Sequence, residues 1–436
     1  MYCAYVTTIN GFRKHNNADR LQCTKIFGNN VIVDFSYSVG QKVVYFPVDG
    51  QLSEEFANDN NLVRKKDENG NDVGGYLDPN KRNIKAINLR GEKSDGLILP
   101  IEVLSKYTDV SKLKNGDKIS VLDGHEICCK YVPRTNHKRC GNGSPKAKNK
   151  REENEVISYP FFEQHVDTEQ LAYNERAFKE GDLCIITLKM HGTSGRTANT
   201  IQVTKKKRPA WMKKLFHIND KETVEYGAVS GTRRVTLRNY DCGYYGNDAF
   251  RQHWHDFFAE RLPKGVEVYY ELVGWVNEST PIMPRCQNSK VKDKEFKKQY
   301  GEETIFSYGC EPGKCKPYVY RMTYTNPDGV VFELPWHQVQ IECERMGVDC
   351  VPTFETFFFT TWEDLMKRVN KYYEGIDPIG KTHIREGVVV RIANRERFKA
   401  FKHKNFEFKV VSGIIAEQIE QSNDISNMSD DMISEI

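Results

Sequence analysis

The sequence predicts an α+β protein, in which a small β-barrel precedes a larger domain of antiparallel sheets with flanking helices. Three observations predict this architecture. Short β-branched runs separated by Gly, Asn and Asp fill the first third of the chain, a stretch with almost no apolar residue follows, and longer apolar strands then alternate with helical segments. With 436 residues and 39% hydrophobic composition, the chain is long enough to build two cores.

The N-terminal region reads as a series of short strands. The run "NNVIVDF" (29–35) is a β-branched strand, "SVGQ" is a turn, and "KVVYFPVDG" (42–50) is a second strand that ends at Gly50. The runs "GLILPIEVL" and "DKISVLDG" continue the pattern. Short strands at even spacing are typical of an oligonucleotide-binding (OB) barrel, which we assign to residues 1–133.

Charged segments separate and end the domains. Residues 134–155 are rich in Lys, Arg, Asn, Gly and Pro and predict a basic linker, whereas the acidic residues 421–436 lack apolar periodicity and predict a disordered tail. A net charge of +4 does not by itself indicate nucleic-acid binding. The basic runs at 134–151 and 205–214 can follow a phosphate backbone or form solvated loops, and the sequence leaves both readings open.

The second domain, residues 156–420, alternates between helical and extended patterns. Helical texture is found in "FEQHVDTEQLAYNERAFKEG" (162–181) and "TWEDLMKRVNKYYEG". Strands are predicted at "DLCIITLKMHG", "EVYYELVGWV" (267–276), "PYVYRMTYT" (317–325) and "EGVVVRI" (386–392).

Composition also limits where the protein acts. No run approaches the ~20 apolar residues of a membrane span, and the first residues lack the layout of a secretory signal. The 12 cysteines are scattered, and "CEPGKC" (310–315) has no CxxC companion, so we expect reduced thiols and a turn rather than a zinc site. We therefore predict a cytoplasmic protein that binds no membrane, in the host cytoplasm if the source is a virus or phage.

The stretch "LKMHGTSGR" (188–196) carries the first chemical signal. An apolar strand delivers Lys189 at its end, and a lysine amine attacks phosphorus only in the neutral form that nearby cations, a metal or desolvation favour. Gly192 allows the backbone to approach a phosphate closely, and Ser194 and Arg196 can bind one. Taken alone, the motif is a weak signal and more often marks a solvated lysine at a strand end.

Three later segments strengthen the chemical reading. "VYYELVG" places Glu271 in an apolar strand, "REGVVVR" places Glu386 at the head of another, and "KAFKHK" places Lys402 and Lys404 two residues apart. Residues two apart in a strand share a face, so the lysines can clamp a triphosphate. The two carboxylates can hold a hydrated divalent cation, although an isolated Glu in a strand is more often an outward polar residue.

The order of these segments resembles motifs I, III, IIIa, IV and V of the covalent nucleotidyltransferases, which include DNA ligases, RNA ligases and mRNA capping enzymes. His191 in "KMHG" (189–192) is similar to the motif I of phage-type RNA ligases. The segments "RLQCTKIFGNNVIVDFSYSVGQKVVYFPVDGQLS" and "RNIKAINLRGEKSDGLILP" resemble the N-terminal OB domain of one subgroup of ATP-dependent RNA ligases. The second domain then resembles a ligase adenylylation domain.

The resemblance implies a role for each reactive residue. Lys189 forms the phosphoramide to AMP, Glu271 contacts the ribose or the water shell of the metal, and Glu386 binds the metal. Lys402 and Lys404 bind the phosphates.

Further residues are implied in binding. His191, Gly192, Ser194 and Arg196 contact the nucleotide, and Tyr318 or Tyr320 stacks on adenine, with a core tyrosine as the alternative for either. Arg233 or its neighbour Arg234 lies near the RNA 3′ end. One departure is Leu171, which stands where relatives have an arginine, and Arg176 is the candidate to replace it.

The implied function is an ATP-dependent RNA ligase that joins a 3′-hydroxyl to a 5′-phosphate through lysyl-AMP and RNA-adenylate. The implied cofactors are ATP and Mg²⁺ or Mn²⁺, the partner is RNA or an RNA/DNA duplex with a nick or break, and we expect a monomer. About thirty residues follow Lys404, which is too few for the second OB domain of DNA ligases and capping enzymes. A minimal DNA ligase, a GTP-using capping transferase and a non-catalytic RNA-binding protein remain alternatives.

Overall fold

A computed structural model describes residues 2–70, 72–133, 155–162, 165–208, 215, 220–238, 240, 245, 248–291 and 293–421. The predicted linker, except for its last residue, and the predicted acidic tail, except for its first, lie outside the described residues. So do both basic runs, apart from residues 205–208. Contacts divide the chain into two units, each built from separate stretches.

Unit 1 contains Met1–Pro133, Gln287–Gln299 and Asn405–Gln418. The sequence predicts that the last two stretches belong to the second domain, whereas their contacts place them in unit 1. Lys409 pairs with Asp95 at 2.5 Å, and Lys93 and Lys85 pair with Glu407 and Glu417 respectively. The C-terminal helix therefore completes the unit that begins the chain.

The strands of unit 1 form several small sheets. The four-stranded sheet has the order Leu97–Pro100, Lys42–Phe46, Ala4–Thr8, Lys118–Ile119, and the three-stranded sheet has the order Arg13–Lys14, Leu21–Ile26, Asn29–Asp34. Two-stranded ladders join Gly50–Leu52 with Cys128–Lys130, Arg64–Lys66 with Asp72–Gly74, Ala86–Leu89 with Glu92–Asp95, and Val121–Leu122 with His125–Glu126. Among the described residues these sheets do not close into one barrel, so the predicted OB barrel is not shown.

Apolar side chains and local turns hold unit 1 together. Phe46 and Leu52, on two of the strands, and Phe56, on the helix Glu54–Asp59, are fully buried in its core. The predicted strand at 29–35 is confirmed as Asn29–Asp34. A two-residue turn, with φ of 50° at Phe27 and 81° at Gly28, joins it to the preceding strand, as in a type I′ hairpin.

The helices of unit 1 are short except at the C-terminus. They are Glu54–Asp59, Lys294–Tyr300 and Phe406–Gln421, with 3₁₀ turns at Ile101–Leu104, Val110–Lys112 and Asn288–Lys290. The Ser53 hydroxyl accepts a hydrogen bond from the Phe56 backbone N–H at 3.1 Å and so caps the first helix.

Unit 2 contains two larger, mainly antiparallel sheets. The first has the order Thr236–Leu237, Lys221–Gly231, Thr193–Lys206, Val266–Gly274, Cys315–Thr325, Val331–Glu333, with Glu155–Ser158 beside the third strand and Asp349–Cys350 beside the fifth. The second has the order Glu169–Gln170, Ala400–Lys404, Gly387–Ile392, Leu183–Lys189, Thr353–Phe358. Cys286–Gln287 and Glu303–Thr304 are the remaining described strands, and the helices are Ala249–Ala259, Trp336–Met346 and Trp362–Val369.

The strand Leu183–Lys189 lies inside the second sheet, between Thr353–Phe358 and Gly387–Ile392. Because both of its edges are paired and its interior is buried, it is almost continuously apolar until Lys189. Cys184 and Ile186 pack into a core with Leu365 and Val369 of a flanking helix. The sheet therefore holds the end of this strand at a fixed point.

The helix predicted over 162–181 is wrong for its described residues. Glu169–Gln170 is a short strand that pairs in parallel with Phe401 and Lys402, and two 3₁₀ turns follow at Leu171–Tyr173 and Glu175–Ala177. Leu171 is fully buried, so tertiary packing and strand pairing outweigh local helix propensity. Among the described residues, no helix has the length and apolar character needed to cross a membrane.

Candidate nucleotide-binding site

Two rows of side chains cross the second sheet of unit 2. Lys189, Gly387 and Lys404 stand opposite one another in one row, and Thr187, Val389 and Lys402 form the next. Opposed residues of antiparallel strands face the same side, and residues two apart share a face, so both rows face the same way. Thr187, Lys189 and Val389 line a cleft, so the structure brings the three predicted lysines to one face.

Glu386 lies at the centre of the positive groups. One carboxylate oxygen is 2.7 Å from the Lys189 Nζ and 3.7 Å from the Lys404 Nζ, and the other is 3.9 Å from the Nδ1 of His191. Glu386 is 1% exposed, whereas the Lys189 side chain is 21% exposed. The predicted nucleophile is thus held by a buried carboxylate and still reaches the cleft.

Glu271 organises the loop that follows Lys189. Its carboxylate accepts hydrogen bonds from the Gly192 backbone N–H at 3.1 Å and from the Ser194 hydroxyl at 3.4 Å. A Cβ at Gly192 would lie 2.2 Å from the carbonyl oxygen of Leu272, so only glycine permits this approach. Glu271, Ser194 and His191 all line the cleft.

His191 is buried beneath the same loop. Its backbone N–H donates to the Tyr308 hydroxyl at 2.6 Å, and its ring meets Phe306 edge-on at 4.6 Å. Burial, together with the charges of Lys189 and Lys404, lowers the pKa of His191 well below its usual range. The imidazole is therefore neutral, and it adds no positive charge beside the two lysines.

The two candidate tyrosines occupy different environments because of a β-bulge. Arg321 opposes Tyr269 and Val319 opposes Tyr270, so Tyr320 is the extra residue between them. The bulge breaks the alternation on which the prediction relied. Tyr320 lines the cleft, whereas Tyr318 is 5% exposed and is not among the lining residues.

The predicted arginines also separate. Arg196 is buried away from the lining set, where its Nε donates to the Thr232 carbonyl at 3.0 Å and its guanidinium stacks 3.8 Å from the Phe162 ring centre. Arg233 lines the cleft, and its Nε lies 3.2 Å from Asp167.

Further residues of the prediction do not line the cleft, among them Gly192, Lys402 and Lys404. Arg234 is exposed, Leu171 belongs to the apolar core, and Arg176 is exposed on a 3₁₀ turn. Neither Leu171 nor Arg176 supplies the arginine of the related motif to the cleft.

The cleft opens to solvent, and its cavity volume is about 100 Å³. Sequence reasoning missed several lining residues, namely His165, Arg321, Arg391 and Phe398. The sequence pattern could have identified Arg391, because it lies two residues beyond Val389 in the same strand and therefore on the same face. His165 and Phe398 lie outside regular strands, where no period identifies a facing side.

A divalent cation would find few protein ligands here. The described residues contain no group of three or more His, Cys, Asp or Glu side chains placed to hold a metal. Glu271 and Glu386 each offer one carboxylate at the cleft. This donor set fits a hydrated Mg²⁺ or Mn²⁺ that takes its remaining ligands from water and phosphate oxygens.

The fold of the chain is similar to that of solved structures of an RNA ligase. The chain is similar to Naegleria gruberi RNA ligase with PPi, with a TM-score of 0.56, 16% identity, and coverage of 93% of this chain and 97% of that chain. A mutant of the same ligase with ATP and Mn has a TM-score of 0.56 and 16% identity, and the match covers 93% of this chain and 98% of that chain. Another mutant, with AMP and Mn, has a TM-score of 0.55 and 15% identity, and the match covers 93% of this chain and 97% of that chain.

At these identities the similarity shows the fold. No protein-family model matches the sequence, and no curated protein sequence matches it.

Proposed function

We propose that the protein is an ATP-dependent RNA ligase that seals an RNA 3′-hydroxyl to a 5′-phosphate. The observation that carries the proposal is the cluster in which Glu386 pairs with both Lys189 and Lys404, with Lys189 and Glu386 lining the cleft. The similarity of fold to an RNA ligase seen with ATP, AMP and Mn supports the same reading.

Three transfers of bonds make up the proposed reaction. The neutral amine of Lys189 forms a bond to the α-phosphorus of ATP, and the bond from that phosphorus to pyrophosphate breaks. An RNA 5′-phosphate oxygen then displaces the lysine, and finally a 3′-hydroxyl displaces AMP. Chemistry of this kind leaves the protein to position the groups and neutralise charge.

The residues around Lys189 supply that positioning. Lys404 is 8% exposed and Lys402 lies on the same strand face, so both meet phosphate oxygens with part of their hydration already removed. Glu271 fixes the Gly192 backbone, which brings the loop close to the nucleotide. A divalent cation bound by Glu386 or Glu271 would neutralise phosphate charge.

Covalent labelling tests the first step. Purified wild-type protein incubated with ATP should gain the mass of one AMP, and Lys189→Ala should gain none. Lys205→Ala is a matched control, because Lys205 lies on a strand but pairs at the surface with Glu222 at 3.1 Å. Labelling that survives in Lys189→Ala would refute the assignment.

The same labelling experiment separates the alternatives. Faster labelling from GTP than from ATP would favour a capping transferase, and the absence of any labelling would favour a non-catalytic RNA-binding protein. A sealing assay across nicked duplexes, with RNA or DNA on each side of the break, distinguishes an RNA ligase from a minimal DNA ligase.

We also propose that unit 1 holds RNA through backbone contacts, as an OB domain would. The strand Arg64–Lys66 presents three consecutive exposed basic residues, which suit a phosphate backbone. Replacing Arg64, Lys65 and Lys66 with Ala should reduce sealing and the salt dependence of RNA binding while AMP labelling continues. Equal sealing by this variant and the wild type would contradict an RNA-holding role for this strand.

A further inference from the structure

Arg391 is a buried cation that the proposed reaction does not use. It is 5% exposed, it lines the cleft, and its Nε has no hydrogen-bond partner among the described residues. One terminal nitrogen donates to the backbone carbonyl of Tyr320. A buried guanidinium with an open donor is costly unless a ligand supplies an acceptor.

The neighbouring charges do not satisfy Arg391. Among the described residues, Glu333 is the carboxylate that acts on its charge. Arg321 binds this carboxylate through Nε at 3.1 and 3.0 Å and through Nη2 at 2.9 Å. Arg391 forms no ion pair among the described residues, and burial lowers the pKa of its guanidinium to about 10. Two cleft arginines therefore share one carboxylate, and Arg391 is the member left with an open donor.

Packing fixes the direction of that open donor. The guanidinium of Arg391 lies 4.3 Å from the ring centre of Trp336 and 5.5 Å from that of Phe398. The faces of a guanidinium suit packing on an aromatic ring, whereas its N–H groups donate hydrogen bonds in the guanidinium plane, at its edge. An acceptor must therefore approach Arg391 edge-on from the cleft.

Position along the strand indicates which part of a nucleotide arrives there. Arg391 lies four residues beyond Gly387, the residue opposite Lys189, and four residues of a strand span about 13 Å. Val389 lies between them on the same face, and Arg391 is tied to Tyr320. A nucleotide with its α-phosphorus at Lys189 and its base against Tyr320 presents the edge of the base, rather than a phosphate, to Arg391.

We infer that Arg391 is a specificity-determining residue, whose edge donates a hydrogen bond to a ring nitrogen of the adenine base. The inference rests on the proposed function for the orientation of the nucleotide. An arginine edge offers only donors, so it requires an acceptor and repels the exocyclic amino group of adenine. Adenine therefore binds with one of its ring nitrogens, and not its amino group, towards Arg391.

Nucleotide analogues test the inference independently of catalysis. The dissociation constants of ATP, 1-deaza-ATP, 3-deaza-ATP and 7-deaza-ATP are measured by calorimetry on the Lys189→Ala chain, which cannot react. One analogue should bind at least about tenfold more weakly than ATP, because it leaves the Arg391 donor unpaired. Adding Arg391→Met should abolish that difference while ATP itself binds more weakly.

Two control variants accompany the test. Arg391→Lys keeps the positive charge in case Arg391→Met unfolds, and it should retain part of the discrimination. Arg395→Lys changes an arginine that pairs with Asp182 at 2.7 Å and does not line the cleft, so the ranking of the four nucleotides should not change.

Several results would overturn the inference. Equal binding of all four nucleotides before the Arg391 change would exclude a base contact, and so would a penalty that persists in Arg391→Met. If Arg391→Met weakens inorganic pyrophosphate as much as ATP, the residue contacts phosphate instead. A different experiment tests the proposed function: protein that retains Lys189 would show no AMP labelling if that function is wrong.

Discussion

Replacing Glu386 with glutamine tests the charge balance at the centre of the site. Gln keeps the size of Glu and one acceptor oxygen. It removes the negative charge between Lys189 and Lys404, whose Nζ atoms lie 2.7 and 3.7 Å from one carboxylate oxygen. Loss of one member of a buried ion pair typically costs 3–5 kcal/mol. Because Lys189 is 21% exposed and water can solvate it, we expect the lower end, about 3 kcal/mol.

The rate of AMP labelling by Glu386→Gln should fall by more than the loss of folded protein can explain. If Glu386 stabilises charge in the first transfer, labelling by Glu386→Gln at a temperature well below its unfolding should be slower by about 10² or more. Urea unfolding measures the first effect, and time-resolved mass spectrometry measures the second. Glu267→Gln is the control, since Glu267 is equally buried but lies 3.5 Å from Arg196, outside the lining set. If Glu386→Gln unfolds at the same urea concentration as the wild type and is labelled at a rate within a few-fold of the wild-type rate, this reasoning is refuted.

Three further predictions follow from the same contacts. Tyr320→Leu should raise the KM for ATP in labelling by about tenfold, because stacking on a base contributes about 1–3 kcal/mol. Tyr318→Leu, the control, should lower the melting temperature and leave this KM within a few-fold of the wild-type value. Gly192→Ala should lower the urea-derived stability by at least about 1–3 kcal/mol, because its Cβ would meet the Leu272 carbonyl at 2.2 Å, and unchanged stability would contradict the close approach. Burial lowers the pKa of His165 from 6.5 to about 4, so the folded chain binds fewer protons than the unfolded chain between these values. Its contribution to stability is complete above pH 6.5 and is lost as the pH falls towards 4, and His165→Gln should flatten that part of a stability–pH profile.

Local patterns in the sequence predicted the strands that carry the site. The strand before Lys189 and the strand around Glu271 were both identified, because a fully paired strand inside a sheet reads as a continuous apolar run. The spacing of Lys402 and Lys404 placed them on one face for the same geometric reason. These features depend only on residues that are close together in the sequence, so they can be predicted without knowing the fold.

Features that depend on distant contacts could not be predicted. The segment around Leu171 has helical texture, yet it pairs with a strand that lies more than two hundred residues later. The bulge at Tyr320 shifts the register by one residue without any glycine to mark it. The assignment of residues 405–418 to unit 1 depends on ion pairs such as Lys409 with Asp95, which no local pattern announces.

The helix Phe406–Gln421 has a consequence for how the chain is made. Residues 1–133 are synthesised before Glu407 and Lys409, which pair with Lys93 and Asp95. The first unit therefore reaches its final form only after residues 405–418 have been made, and until then it must tolerate an open surface. A break in the backbone between the two halves would also leave this helix clasped to the N-terminal fragment, so we expect both pieces to copurify.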